Sequence, residues 1–254
     1  MKILLIEPPG DFRNLCDVMQ DIGCEIPWMT FARVDSIKSD VADRLRETNC
    51  LSVQIGFESF DNDVLRAMNK RVTVEQYRDA ISRLADAGIN TRACFIMGHS
   101  GETHTSVART LEVLDSIEYE GDGTFDFLFA PFILFPLSPA YTPEYRKEYN
   151  LTGHMHTWRH ETMKSGDIDD LLRKAFLSIR DNVFYAYTKD DIMPDLPPDV
   201  LRNLKQRRQR ARQHQVFAGE GSLYAGMMFQ KEMSELEKLL LPYVGTEKRR
   251  AICV

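Results

Sequence analysis

Over its first 140 residues the chain switches repeatedly between two hydrophobic patterns. Apolar runs of strand length are followed by stretches in which apolar positions recur every three or four residues. Residues 2–6 read as a first strand. Residues 11–22 then set Phe12, Leu15, Cys16, Met19 and Ile22 on one helical face, and Gly23 supplies a stop. The pattern predicts a second strand over 27–32, a short helix over 40–48 with Val41 and Leu45 inward, and a third strand over 51–56. Asp61 caps a helix through Met68. Thr73 and Gln76 form a capping box for a helix whose stripe is Tyr77, Ala80, Ile81, Leu84 and Ala87 and which ends at Gly88. A fourth strand covers 90–97. Thr103 caps a helix carrying Val107, Leu111, Leu114 and Ile117, and an aromatic fifth strand runs over 125–134.

Strands separated by helices imply parallel neighbours, because a parallel connection needs a crossover of this length. Near-continuous apolar strands fit burial on both faces. A (βα) barrel or a doubly wound sheet follows, and in either one ligands bind where strand C-termini meet helix N-termini. After Pro139 the pattern changes. Residues 140–166 are polar and aromatic, with Tyr141, Tyr145, Tyr149 and Trp158; 167–189 read as helical; the Pro-rich 193–198 is a rigid break; and helices follow over 199–214 and 229–241. The boundary is expected near 140–150, giving a 1–145 α/β domain and a mostly helical 146–254 region.

The chain has 254 residues, 43% hydrophobic and 28% charged, with a formal net charge of −6. That composition buries a large core and argues against a protein devoted to nucleic acid. No apolar run reaches the ~18–20 residues of a membrane span, so a cytoplasmic protein is expected. The five cysteines, Cys16, Cys24, Cys50, Cys94 and Cys253, are too scattered for a disulfide framework or a local metal knuckle.

Two glycine-punctuated strand ends carry the candidate chemistry. In the first, Gly56 is followed by Glu58 and Ser59; the carboxylate can hold an ammonium or a ribose hydroxyl, or serve an ordinary strand-to-helix loop. In the second, Gly98-His99-Ser100-Gly101-Glu102 opens a helix. Glycines permit close backbone approach and a helix N-terminus favours negative groups; a βα turn with a capping Glu is the plainer alternative. Arg33, at the second strand end, suits a carboxylate ligand or a pair with Asp35. His154, His156 and His160 have a spacing that could hold a metal, although only Glu161 is near; a structural or substrate-facing cluster is favoured. Arg202, Lys205, Arg207, Arg208, Arg210 and Arg212 make a basic helix without interleaved aromatics, read as a solvated face or docking surface before a phosphate-binding one.

Taken in order, residues 28–35, 53–59, 63–70, 87–89, 95–103 and 136–141 resemble the second half of a radical S-adenosylmethionine (SAM) enzyme barrel, most closely the subgroup with an N-terminal cobalamin domain. The resemblance implies an α/β fold, a partial parallel (βα) TIM-like barrel of about five strands with a C-terminal helical appendage. It implies that Glu58 and Ser59 contact SAM through its ribose or amino acid end, that Gly98, Gly101 and Glu102 lie along the adenine, that Arg33 faces the methionine carboxylate, and that Phe135 and Pro136 frame the adenine. It also implies SAM, a [4Fe–4S] cluster and cobalamin as family cofactors. The family's C-x3-C-x2-C loop, which ligates the cluster, has no counterpart in the sequence, and Glu7 or Asp11 would have to stand in for the acidic end of the second strand.

The expectation is a radical-SAM-type enzyme, a methyltransferase or another radical catalyst, truncated and without its own iron–sulfur ligands. Another chain could complete the barrel. The alternative is a non-catalytic SAM-binding or subunit-partner pseudoenzyme. A small-molecule substrate, no membrane and no nucleic-acid partner are expected, with residues 140–166 facing substrate.

Overall fold

Local signals set most of the helices. The Asp61 carboxylate accepts from the backbone N–H groups of Asp63 and Val64 and starts α3 (Asn62–Ala67). Thr73 and Gln76 close a reciprocal box at α4 (Val74–Asp86), and Thr103 with Ser106 closes one at α5 (His104–Ser116). The computed structural model describes residues 4–6, 12–119, 121–180, 183–184, 196–240 and 242–243. Residues 2–3, Glu7, Asp11, 193–195 and Cys253, which enter the readings above, lie outside these.

Among the described residues six parallel strands form one sheet: β1 (Leu4–Ile6), β2 (Trp28–Ala32), β3 (Cys50–Glu58), β4 (Asn90–Met97), β5 (Phe125–Pro131) and, at the far edge, Val183–Phe184. Each strand pairs with its predecessor in sequence, so the sheet is singly wound, as in a βα barrel, and has no doubly wound switch point. Among the described residues the first and last strands do not pair with each other, so the sheet they form is open. Crossovers of one hand put the helices on one face. There α1 (Phe12–Asp21), α2 (Ser39–Glu47), α4 and α5 share a core with Val53, Ile55, Phe57, Ala93, Phe95 and Phe127.

Beyond the sheet come α6 (Pro143–Glu148), an antiparallel pair of β6 (Thr152–His154) and β7 (Thr157–Arg159), and α7 (Ile168–Ser178). Val183–Phe184, β8, is a sixth strand inside the stretch expected to be helical. The helices α8 (Pro198–Gly219) and α9 (Leu223–Leu240) form a hairpin joined by Leu201, Leu204, Leu236 and Leu240. Two expected strand bounds move because proline has no N–H to give a ladder: β2 begins after Pro27, and β5 ends at Pro131.

Candidate functional site

Side chains alternate across a strand, so the face away from the helices carries a second set of residues in rows. Towards the strand N-termini lies a row of Gln54, Arg92 and Asp126; the next is Gly56, Cys94 and Leu128; the last is Ile96 and Ala130. The first row is closed by α8. Arg92 Nε donates to Asp126 Oδ1 at 3.0 Å, and Lys205 Nζ donates to Asp126 Oδ2 at 2.7 Å and to Thr124 Oγ1 at 2.9 Å. The last row opens into a cleft of about 790 Å³ at the strand C-termini. Its walls are mostly apolar and aromatic: Ile96, Ala130, Phe132, Phe135, Tyr145 and Tyr149, with His99, Asn69, Arg66 and Glu148 supplying polar groups.

The turn after β4 forms one wall and is held from behind. Gly98 N–H donates to Glu102 Oε2 at 2.5 Å, and His160 Nε2–H donates to the Gly98 carbonyl at 3.2 Å. Both backbone polar groups of Gly98 are therefore used within the fold. The space a Cβ would take there is filled by the Trp158 indole and Ile168 Cδ1, each 2.6 Å away, and φ is +93°. Gly101 (φ +90°) faces Ala67 Cβ at 3.0 Å. Trp158 stacks on His160, and its Nε1–H donates to the Phe132 carbonyl at 2.8 Å. Thr162 Oγ1 donates to the Glu102 carbonyl at 2.5 Å. Burial pushes the Glu102 carboxyl up to about 8, against the pull of the Gly98 N–H. Burial pulls His99 down to about 4 and also lowers His160.

The ends of β2 and β3 make a separate polar group. Arg33 Nε and a second guanidinium nitrogen donate to Asp35 at 3.1 and 3.2 Å, which lowers the Asp35 carboxyl. Glu58 sits at φ +64°, where the β3–β4 register shifts, and pairs with Lys70 at 2.6 Å. A small cavity of about 30 Å³ lies among Arg33, Gly56, Lys70 and Tyr77, and the buried Tyr77 hydroxyl has no hydrogen-bond partner. Ser59 is fully buried: its Oγ lies 3.3 Å from Thr110 Oγ1 and accepts from Asp61 N–H.

The site residues read from sequence thus fall into three places. Phe135 lines the large cleft, with the exposed Pro136 next to it. Arg33 borders the small cavity, and Glu58 pairs with Lys70 of its lining. Ser59, Gly98, Gly101 and Glu102 lie within the loops behind these surfaces. The cleft adds His99, Phe132, Tyr145, Tyr149 and the turn at Met68–Asn69. Of the histidine cluster, His160 is tied to Gly98, and His154 Nδ1 meets Tyr141 Oη at 3.0 Å. No group of three metal-ligating side chains forms among the described residues. The basic helix faces inward in part: Arg202 donates to the Gly121 and Gly123 carbonyls, and Arg207 and Arg210 meet Glu232 of α9. Among the described cysteines, Cys16 and Cys50 are buried in the core, and burial pushes Cys50 up to about 12 and Cys94 to about 11. No helix among the described residues is long and apolar enough to cross a membrane.

A singly wound parallel sheet with an aromatic cleft at its C-terminal edge defines a βα-barrel type of ligand-binding fold. Residues 14–114 match the family model of the Radical SAM superfamily. It is 27% identical over 167 residues to an uncharacterized methyltransferase of Pyrococcus horikoshii, covering 61% of this chain and 34% of the relative. It is 30% identical over 126 residues to a tRNA-2-methylthio-N(6)-dimethylallyladenosine synthase of Alkaliphilus oremlandii, covering 47% of this chain and 26% of that protein. The chain thus spans about a third or less of the length of these curated relatives. Among solved structures, Elp3 of Methanocaldococcus infernus shares the fold at a TM-score of 0.51 and 14% identity, over 67% of this chain and 37% of that one.

Proposed function

We propose that the cleft holds S-adenosylmethionine and that the chain is the SAM-holding part of an enzyme transferring a methyl or methylthio group. The carrying observation is the cleft itself. It lies at the C-terminal ends of β4 and β5, is walled by Phe132, Phe135, Tyr145 and Ile96, and has a volume suited to a nucleoside-sized ligand. Aromatic faces stack on a purine, and His99 and Asn69 offer polar contacts. Arg33, Glu58 and Lys70, at the neighbouring strand ends, suit the charged amino acid end of SAM. Pro136 frames the mouth. Ser59, Gly98, Gly101 and Glu102 shape the loops that carry these surfaces.

In the superfamily a [4Fe–4S] cluster supplies the electron that breaks SAM. The described cysteines do not fit such a cluster: they lie on α1, on the following loop, in β3 and in β4, and two are core thiols. Reductive cleavage is therefore assigned to none of the described residues. That scatter favours a second reading, a SAM-binding subunit without chemistry of its own.

Calorimetric titration with SAM tests the site. The wild-type chain is expected to bind, and Ile96→Trp, which fills the cleft from its floor, to lose binding by tenfold or more. Undiminished binding by that variant, or no binding at millimolar SAM, would sink the assignment. Anaerobic reconstitution with iron and sulfide separates the two readings. Visible cluster absorbance with SAM cleavage under reductant supports the enzyme, and SAM binding without either supports the subunit.

A further inference from the structure

We propose that His99 sets ligand choice in the large cleft, its Nε2 lone pair accepting a hydrogen bond from an N–H or O–H donor on a heteroaromatic ligand, such as the exocyclic amine of an adenine ring. This rests on the reading of the cleft as a SAM site. His99 lines the cleft, and its Nδ1 lies 3.0 Å from the Ser100 carbonyl oxygen. A carbonyl only accepts, so Nδ1 carries the hydrogen. A neutral imidazole has one ring hydrogen, so Nε2 is left as an acceptor. Burial keeps the ring neutral.

The ring is also fixed in direction. Phe132 meets it edge-on at 5.1 Å and 68°, and Tyr145 at 6.4 Å and 78°. Among the described residues Nε2 has no hydrogen-bond partner of its own. Of the other polar lining groups, Ser138 Oγ donates to the Phe135 carbonyl, Asn69 Oδ1 receives Arg71 Nε at 3.5 Å, and Arg66 pairs with Asp63. Behind the same wall Ser100 Oγ and Tyr145 Oη are buried without a hydrogen bond. The imidazole is thus the neutral, oriented acceptor that the aromatic walls leave facing the ligand. A mostly apolar pocket whose oriented acceptor goes unpaired disfavours a ligand lacking the donor.

The test compares adenosine with purine riboside, which differs only by lacking the exocyclic amine, by calorimetric titration of the full chain. SAM is titrated alongside. Wild type is expected to favour adenosine by about fivefold to tenfold, the worth of one neutral hydrogen bond. His99→Asn places an amide at the Nδ1 position only and is expected to bind the two nucleosides alike. His99→Gln, whose amide oxygen reaches the Nε2 position, is expected to keep the preference. Equal wild-type affinities with SAM still bound, or a preference surviving in His99→Asn, would overturn the role of His99 and leave the cleft standing. Failure of wild type to bind SAM and both nucleosides would overturn the site reading and this inference with it. The wild-type comparison needs no variant to fold.

Discussion

At the scale of single residues, Glu102 is a carboxyl group taken far from the environment it would have in water. It is 3% exposed, and burial moves its carboxyl from 4.5 to about 8, with the nearby Asp61 adding to the rise. A folded-state value above the unfolded one means that the folded protein holds the proton more tightly. The stabilisation is complete below about 4.5 and is lost as pH rises through 8. His99, depressed from 6.5 to about 4, works in the opposite sense: its contribution is lost as pH falls below 6.5. As pH rises from 6.5 towards 8 the His99 and His160 imidazoles become neutral in both states, their opposing slope fades and the Glu102 effect dominates. Urea midpoints are expected to fall with pH across that window in the wild type and to be flatter in Glu102→Gln, whose amide oxygen still accepts the Gly98 N–H. Parallel slopes in the two proteins would show that Glu102 does not carry the effect.

At the scale of elements, the β6–β7 pair acts as a clamp on the turn after β4. Its Trp158 occupies the place a side chain would take at Gly98, whose φ of +93° is costly for any other residue. Gly98→Ala adds overpacking to backbone strain and is expected to cost about 2–4 kcal/mol, read as the shift of the urea midpoint at constant slope; wild-type stability would refute the clamp. The elements legible in the sequence are those whose cause is local. Asp61, the Thr73–Gln76 box and Thr103 mark their helices because cap and capped N–H lie within three residues. Val183–Phe184 was not legible: two residues become a strand only because Asp126 and Phe127 lie beside them. The cleft was legible in part. The turn at Gly98–Glu102 and Phe135 stand out by pattern, whereas Phe132 and Tyr145 meet His99, and Tyr149 joins the cleft wall, only after β5 and α6 have been placed. The basic run in α8 looks solvent-facing because the acids that hold it, Asp126 and Glu232, are far away in sequence.

At the scale of the whole molecule, the open sheet needs something over its helix-free face, and α8 supplies it at the strand N-termini. The Arg92–Asp126–Lys205 triad is nearly dry, with side-chain exposures of 6%, 3% and 7%. A buried charge is tolerable only when paired, so the three members are not equivalent. Asp126 serves both cations. Replacing it by Asn leaves the Lys205 ammonium with Thr124 Oγ1 as its remaining partner, and a cost of about 3–5 kcal/mol is expected. Lys205→Met keeps the Arg92–Asp126 pair and substitutes an apolar chain of similar length, so the cost should stay within about 1–2 kcal/mol. Urea unfolding of both single variants and the double variant measures this order. In the double variant the loss should be well below the sum, because the methionine removes the cation that Asp126→Asn strands. Equal costs, or simple additivity, would mean that α8 rests on the sheet through its apolar contacts and that the triad is incidental. The predicted order would mean that the C-terminal helix is keyed to the sheet by charge, closing the N-terminal row of this face while the cleft stays open at the other end.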